Sequence, residues 1–221
     1  MTKNLLNIIQ KTDAAEVASD ISETLSAHIE QNDKILLLLS GGSAIVVATN
    51  LSLNLNTNVS IALLDERYGD PMHLDSNAKQ LMDAGFDMQN AKTITVLEGD
   101  SIQETTDRFS RDLIEAKESA DLVVAIAGIG PDGHTSGVLP HTVGVSSEKS
   151  VEHYDGGTYQ RITTTLTFIK EIDHTFIYAV GENKWPAIKQ MLEPGPLEDI
   201  PARVYTEAKA VTLYTDYKGE I

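Results

Sequence analysis

Six apolar residues in a row, Leu122-Val-Val-Ala-Ile-Ala127, stop abruptly at Gly128, Gly130, Pro131 and Gly133. An unbroken apolar run of this length, closed by turn formers, predicts a strand buried on both faces. Strands of that kind belong to parallel sheets covered by helices. The turn that ends the run carries Asp132 and His134, two titratable side chains separated by one residue. Open α/β sheets bind ligands beyond the carboxyl ends of their strands. A carboxylate and an imidazole delivered to such an end predict acid–base chemistry there.

The rest of the chain alternates in the same way. Ala14, Val17, Ala18, Ile21, Leu25 and Ile29 fall at helical spacing, and Asp13 with Glu16 resembles a capping box, which predicts a helix over 13–31. A buried strand over 34–39 breaks at Ser40-Gly41-Gly42-Ser43, and a helix is expected over 43–53. Further strands are expected at 59–64, 93–97, 121–127 and 174–180, with helices at 75–84, 101–119 and 182–192. Residues 140–160 read as a loop-rich region, Pro194-Gly195-Pro196 as a hard stop, and Val204 and 211–214 as late short strands. Alternation of this kind predicts an α/β fold, a mostly parallel sheet with helices on both faces. With no repeat, linker or low-complexity segment, residues 1–221 are expected to form one domain.

Composition removes several classes of function. The chain has no cysteine, so disulfide and thiolate chemistry are absent. No apolar stretch approaches the roughly 20 residues of a membrane span. The first sixteen residues turn acidic too early for a signal peptide. A cytoplasmic protein is expected, with no membrane partner. The net charge of −16 argues against a nucleic-acid partner. It also repels small anions at long range, so an anionic substrate requires a locally basic pocket.

Several short motifs could carry chemistry. Ser40-Gly41-Gly42-Ser43 joins a strand to a helix, either as a tight turn or as a cradle in which backbone N–H groups and small hydroxyls hold a phosphate. Asp65-Glu66-Arg67 follows a strand, either as an exposed turn or as a carboxylate beside an arginine able to grip an anion bidentately. Gly128 to Gly133 formally matches the dinucleotide fingerprint G-x-G-x-x-G. That reading fails, because Asp132 would repel a pyrophosphate, Pro131 lacks an N–H donor, and no strand-end acid follows about 20 residues on. His134 at the glycine-rich turn can take a proton from water near neutral pH, with Asp132 orienting its ring. Arg161, ahead of Ile162-Thr-Thr-Thr-Leu166, and Lys184, at a helix start where a cation opposes the dipole, are either surface cations or anion ligands. No grouping has metal-ligand spacing.

Taken in order, LLLLSGGS (36–43), LLDER (63–67), SNAKQL (76–81), GIGPDGHTSGVLP (128–140), RITTTL (161–166) and AVGENKWPAIKQML (179–192) resemble the 6-phosphogluconolactonases over nearly the whole chain. The resemblance implies a Rossmann-like three-layer sandwich of the sugar-phosphate isomerase/lactonase type. It implies hydrolysis of a small-molecule sugar phosphate lactone in the oxidative pentose phosphate pathway, with no metal or other cofactor. It implies His134 as general base, Asp132 beside it and Asp65 near the sugar ring. Ser40, Gly41, Gly42, Ser43, Arg67 and Lys184 would hold the phosphate, with Arg161 of the same kind. The related glucosamine-6-phosphate deaminases share the fold but carry an Asn-Glu-Pro after the histidine. The position of that glutamate is Leu139 here, ahead of Pro140, and Arg67 stands where those enzymes usually have an aromatic residue. A sugar-phosphate sensor on the same fold would be expected to carry a DNA-binding segment, which the sequence lacks. The chain departs from the lactonase pattern at YDGGTYQ (154–160), which lacks the basic residue common before RIT, at Ser136-Gly137, which replaces Ala-Ser, and at Trp185, which replaces a small residue.

Overall fold

Strands and helices alternate through residues 5–219, which the computed structural model describes. They are β1 (Leu5–Gln10), α1 (Ala14–Glu30), β2 (Ile35–Leu39), α2 (Ile45–Ala48), β3 (Val59–Leu63), β4 (Asp65–Arg67), α3 (Asn77–Asp83), β5 (Lys92–Ile94) and α4 (Ile102–Ser119). After these come β6 (Leu122–Ala127), α5 (Val143–Ser146), β7 (Val151–Asp155), β8 (Gln160–Thr164), α6 (Leu166–Lys170), β9 (His174–Ala179), α7 (Trp185–Leu192) and β10 (Ala210–Thr215). Seven strands make one parallel sheet in the order β1-β10-β9-β6-β2-β3-β5. The expected α/β architecture is therefore present. The interior strand β2 has all five residues buried, with Leu37 opposite Ile61 of β3 on one side and Val124 of β6 on the other.

Chain order and sheet order together decide where the loops gather. From β1 the chain crosses to β2, then steps to β3 and the edge strand β5, always in one direction. It returns past β2 to β6 and continues outward through β9 to β10. Right-handed crossovers place the helices of the two runs on opposite faces. The packing agrees: α1 lies against α2, whereas α7 lies against a 3-10 turn over Pro201–Thr206 and α5 against α6. The direction reverses between β2 and β6, the kind of position where such sheets open a crevice at the carboxyl ends.

Local signals fix most element ends. Asp13 caps α1 by accepting from the N–H groups of Ala15 and Glu16, and Ser101 with Glu104 closes a reciprocal capping box on α4.

Several expectations change. Asp65-Glu66-Arg67 is not a surface turn but the strand β4, which pairs antiparallel with β8, itself paired to β7 in a separate three-stranded sheet. The helix expected over 43–53 is a 3-10 turn at Gly42–Ala44 followed by only four α-helical residues; the β-branched run Ile45-Val-Val47 favours helix weakly. The region 140–160 holds α5 and β7 rather than loop alone. Val204 lies in the 3-10 turn, not a strand; Pro201 opens it with a preset φ. An unforeseen strand, β1, pairs in parallel with β10 at the sheet edge.

Leu38 is fully buried in β2. Leu38→Ala is expected to lower unfolding free energy by about 2–5 kcal/mol, read from urea denaturation; a loss below about 1 kcal/mol would show that the centre of the sheet is not close-packed.

Candidate active site

A cavity of about 340 Å³ opens at the carboxyl ends of β2, β3, β6 and β9. Four separate stretches line it: Ser40–Ser43 after β2, the β4 strand with Asp65 and Arg67, the turn from Gly128 to Gly137 after β6, and Lys184 after β9; Asn77 and Arg161 complete the wall. The cavity is of the size of small-ligand sites. Its wall carries three cations, Arg67, Arg161 and Lys184, against one carboxylate, Asp65. This is the local basicity that an anionic ligand needs in a chain of net charge −16.

The turn after β6 presents His134. Its Nδ1 lies 2.5 Å from Asp132 Oδ1, and the same oxygen accepts from the His134 backbone N–H at 3.2 Å. Asp132 accepts, so Nδ1 carries the proton and Nε2 keeps its lone pair in the neutral ring. The hydrogen bond from His134 holds the Asp132 carboxyl below its usual range. Asp132 itself stands behind the ring and does not line the cavity. Gly130 makes room for this pair: a Cβ there would come within 2.2 Å of the imidazole. The fingerprint-like glycine spacing therefore serves side-chain packing, not a pyrophosphate.

Two residues further on, Ser136 and Gly137 both have positive φ, 51° and 73°. Two successive left-handed residues make a type I′ turn, closed here by the Val138 N–H donating to Thr135 O at 2.7 Å. At Gly137 a Cβ would meet the Asp65 side chain at 2.3 Å. Three side chains brace the turn. Thr135 Oγ1 lies 2.6 Å from the buried Tyr205 hydroxyl, Thr163 Oγ1 donates to Ser136 O at 2.6 Å, and Tyr154 donates to Gly137 O. Burial pushes the Tyr154 hydroxyl up to about 12, so it remains a donor through the neutral range.

On β4, alternation sends Asp65 and Arg67 toward the cavity and Glu66 away from it. Asp65 is 5% exposed. It accepts from Asn77 Nδ2 at 3.2 Å and Ser40 Oγ at 3.4 Å, and faces Arg161 Nη1 at 3.6 Å. Burial raises its carboxyl above the usual range, while Arg161, His134, Arg67 and Asn77 pull the other way. Arg67 and Arg161 sit directly opposite one another across β4 and β8. Like charges in that register repel. Arg67 donates to Asp75 O at 2.7 Å and lies 5.6 Å from the Tyr159 ring centre. The Nε atoms of both arginines and Oδ1 of Asn77 are buried without a partner.

Glu66 anchors this strand to α3. Its two oxygens accept from the N–H groups of Arg67, Asn77 and Ala78 at 2.7–3.0 Å and from Ser76 Oγ at 2.9 Å. Ser76 in turn caps α3 by accepting from the Lys79 N–H. Burial raises the Glu66 carboxyl, and these four donors oppose it.

Across the cavity, Lys184 Nζ donates to Ser43 Oγ at 2.7 Å, and Ser43 Oγ donates to Tyr178 O at 3.3 Å. Burial lowers the Lys184 ammonium, with Asp216 opposing. Ser40, Gly41, Gly42 and Ser43 all line the same space. Thus every site residue expected from the sequence except Asp132 meets at one cavity. Sequence reasoning missed Asn77, Ser136, Glu66 and Tyr154, whose work is to hold other residues in place. Among the described residues, no cluster of three or more metal-ligating side chains occurs.

Comparison with known proteins agrees with this geometry. The profile of the family described as glucosamine-6-phosphate isomerases/6-phosphogluconolactonase matches residues 10–214. A 6-phosphogluconolactonase from Nostoc sp. is 28% identical over 189 residues, covering 77% of this chain and 76% of its own. A glucosamine-6-phosphate deaminase from Lactobacillus johnsonii is 26% identical over 231 residues, covering 96% and 95%. The crystal structure of a 6-phosphogluconolactonase from Shewanella baltica superposes with a TM-score of 0.78 at 19% identity, covering 97% of this chain and 98% of that one.

Apart from Ser76, every group facing the Glu66 oxygens is an N–H that can only donate. Glu66→Gln would turn an amide NH₂ toward at least one of them. It is expected to destabilise the fold by about 1–3 kcal/mol, measured by chemical denaturation at neutral pH. Unchanged stability would mean that Glu66 does not hold β4 to α3.

Proposed function

The chain belongs to the glucosamine-6-phosphate isomerase/6-phosphogluconolactonase family, and from that membership we propose that it hydrolyses 6-phosphoglucono-1,5-lactone to 6-phosphogluconate, a step of the oxidative pentose phosphate pathway. The observation that carries this reading is that His134, its Nδ1 held by Asp132, shares one cavity with Arg67, Arg161 and Lys184. A ligand with a phosphate at one end and an electrophilic carbonyl at the other satisfies both halves.

The family name covers two chemistries, and the relatives include both. The side chains favour the lactonase. Leu139 stands where the deaminases carry a glutamate; it does not line the cavity, and Asp65 is the single carboxylate that does. Beyond His134 and Asp65, the wall offers no further carboxylate to take the part of that glutamate in ring opening and isomerisation. A sugar-phosphate sensor would need the three cations but has no use for an imidazole held by a carboxylate.

In the proposed reaction the cations hold the phosphate and so fix the distance from C1 to the imidazole, converting binding energy into orientation. His134 Nε2 takes a proton from a water whose oxygen forms the new bond to C1. The charge developing on the carbonyl oxygen is met by backbone N–H groups of the glycine-rich turn. The tetrahedral carbon then expels the ring oxygen, which receives the proton from His134. Asp132 keeps the ring in the tautomer that presents Nε2 and stabilises the imidazolium between the two transfers. Asp65 orders Arg161 and Asn77 beside the sugar ring.

The direct test is hydrolysis of freshly made 6-phosphogluconolactone, corrected for spontaneous opening, with ammonia release from glucosamine 6-phosphate followed in parallel. Lactone turnover without ammonia is expected; ammonia release alone would transfer the chain to the deaminase chemistry. His134→Ala is expected to cut turnover by roughly 10²–10⁴-fold with affinity for 6-phosphogluconate little changed, and wild-type-like turnover would remove His134 from the mechanism. Arg67→Ala is expected to weaken 6-phosphogluconate binding by roughly 10-fold or more, in the range of a lost charge-assisted contact; calorimetry giving the wild-type constant would contradict its place in the phosphate grip.

A further inference from the structure

Lys184 is carried on a short turn, Gly181 to Lys184, between β9 and α7. Two donors that flank that turn converge on a single acceptor. The Gly181 backbone N–H donates to Asp216 Oδ1 at 3.0 Å, and the Trp185 indole Nε1–H donates to the same oxygen at 2.9 Å. Gly181 has φ of 117°, a conformation that side-chain-bearing residues rarely adopt. The Lys184 N–H closes the turn on Gly181 O at 2.9 Å. Asp216 follows β10 directly, and β10 is the parallel neighbour of β9, with Thr215 opposite Ala179. The carboxylate therefore reaches across from the adjacent strand end and clasps both ends of the turn.

We propose that Asp216 and Trp185 form a latch that positions the Lys184 ammonium for the anionic end of the ligand. The resemblance assigns neither residue a role: Asp216 lies beyond the family match, which ends at residue 214, and Trp185 lies within it as a departure from the usual small residue. Lysine has a long flexible stem, and its immobilisation opposes binding unless it is held beforehand. Here the stem is held at both ends. The latch fixes the backbone, and Ser43 Oγ accepts from Nζ at 2.7 Å. Asp216 makes no direct ion pair with Lys184 within 4.0 Å among the described residues, so it acts on the turn rather than capturing the ammonium. At longer range its charge also favours the ammonium form that burial disfavours. Asp216 and Trp185 are thus positioning residues, acting through Lys184.

The ligand identity rests on the lactonase reading; the latch does not. The test is calorimetric titration of the full chain and of Asp216→Ala, Asp216→Asn and Trp185→Phe with 6-phosphogluconate and with inorganic phosphate, alongside kcat and KM for the lactone. Asp216→Ala is expected to weaken 6-phosphogluconate binding by about 3- to 10-fold and raise KM to match, with kcat within about 2-fold. Asp216→Asn keeps the accepting oxygen and is expected to stay within about 2-fold of wild type. Trp185→Phe removes one of two donors and is expected to fall between them. Trp185 is the single tryptophan of the chain, so its emission reports on the turn; unliganded Asp216→Ala is expected to show shifted emission. Wild-type binding in both Asp216→Ala and Trp185→Phe would overturn the latch, as would an Asp216→Asn as weak as the alanine variant. If Asp216→Ala fails to fold, Trp185→Phe decides: unchanged affinity overturns the proposal and a measurable loss supports it. A wild type that binds 6-phosphogluconate but leaves the lactone intact rejects the reaction while these titrations still decide the latch; one that binds neither anion rejects both.

Discussion

The buried carboxylate of Asp65 is the point at which the site is tied together. It touches the loop after β2 through Ser40, the start of α3 through Asn77, the second sheet through Arg161, and the turn after β6 at Gly137, where no Cβ would fit. A charge this far from solvent is costly unless hydrogen-bonded and paired. The same contacts that stabilise it therefore dictate how four distant stretches of chain approach one another. Glu66, one residue on and facing the other way, performs the equivalent task for α3, so the Asp-Glu pair fixes both sides of β4. Removing a partner would leave part of this cluster uncompensated, which makes the cavity a consequence of charge burial as much as of sheet topology.

That cluster also accounts for how an acidic protein can take an acidic ligand. The surface field repels anions at long range, but three cations converge on one cavity whose wall carries a single carboxylate. Arg67 and Arg161 face each other across two strands, an arrangement that favours an anion between them. The Tyr159 ring centre lies 5.6 Å from the Arg67 guanidinium and Asp65 faces Arg161, so each guanidinium has a neighbour that holds it. The hairpin between β7 and β8 that supplies Tyr159 is the segment that departs from the lactonase pattern by lacking a basic residue. An aromatic ring at this position faces a cation supplied by another strand.

Much of this was legible from the sequence because strand ends announce themselves. Runs such as Leu36–Leu39 and Val123–Ala127 specify buried parallel strands, and the polar residues just after them specify the site. Nine of the ten residues singled out line the cavity, with Asp132 immediately behind His134. What stayed hidden depends on contacts between residues far apart in the chain. The strand character of Asp65–Arg67 comes from pairing with β8, nearly a hundred residues later, and three charged residues in sequence carry no strand signal. Asn77 and Tyr154 are ordinary residues until their partners, Asp65 and Gly137, are located. The edge strand β1 was missed because its short apolar run sits beside the acidic start of α1, and pairing with β10 decides its conformation. Val204 is an isolated apolar residue that fits either period, and Pro201 is the one local signal for the helical turn that holds it.

The central physical claim is that one cavity holds the phosphate on a cationic wall and the reacting carbon at an imidazole. A crystal structure of the full chain with 6-phosphogluconate bound tests this most directly. The phosphate is expected within hydrogen-bond distance of at least two of Arg67, Arg161 and Lys184, with the C1 carboxylate beside His134 Nε2. A phosphate seated away from these cations, or a C1 carboxylate that does not approach His134, would contradict it.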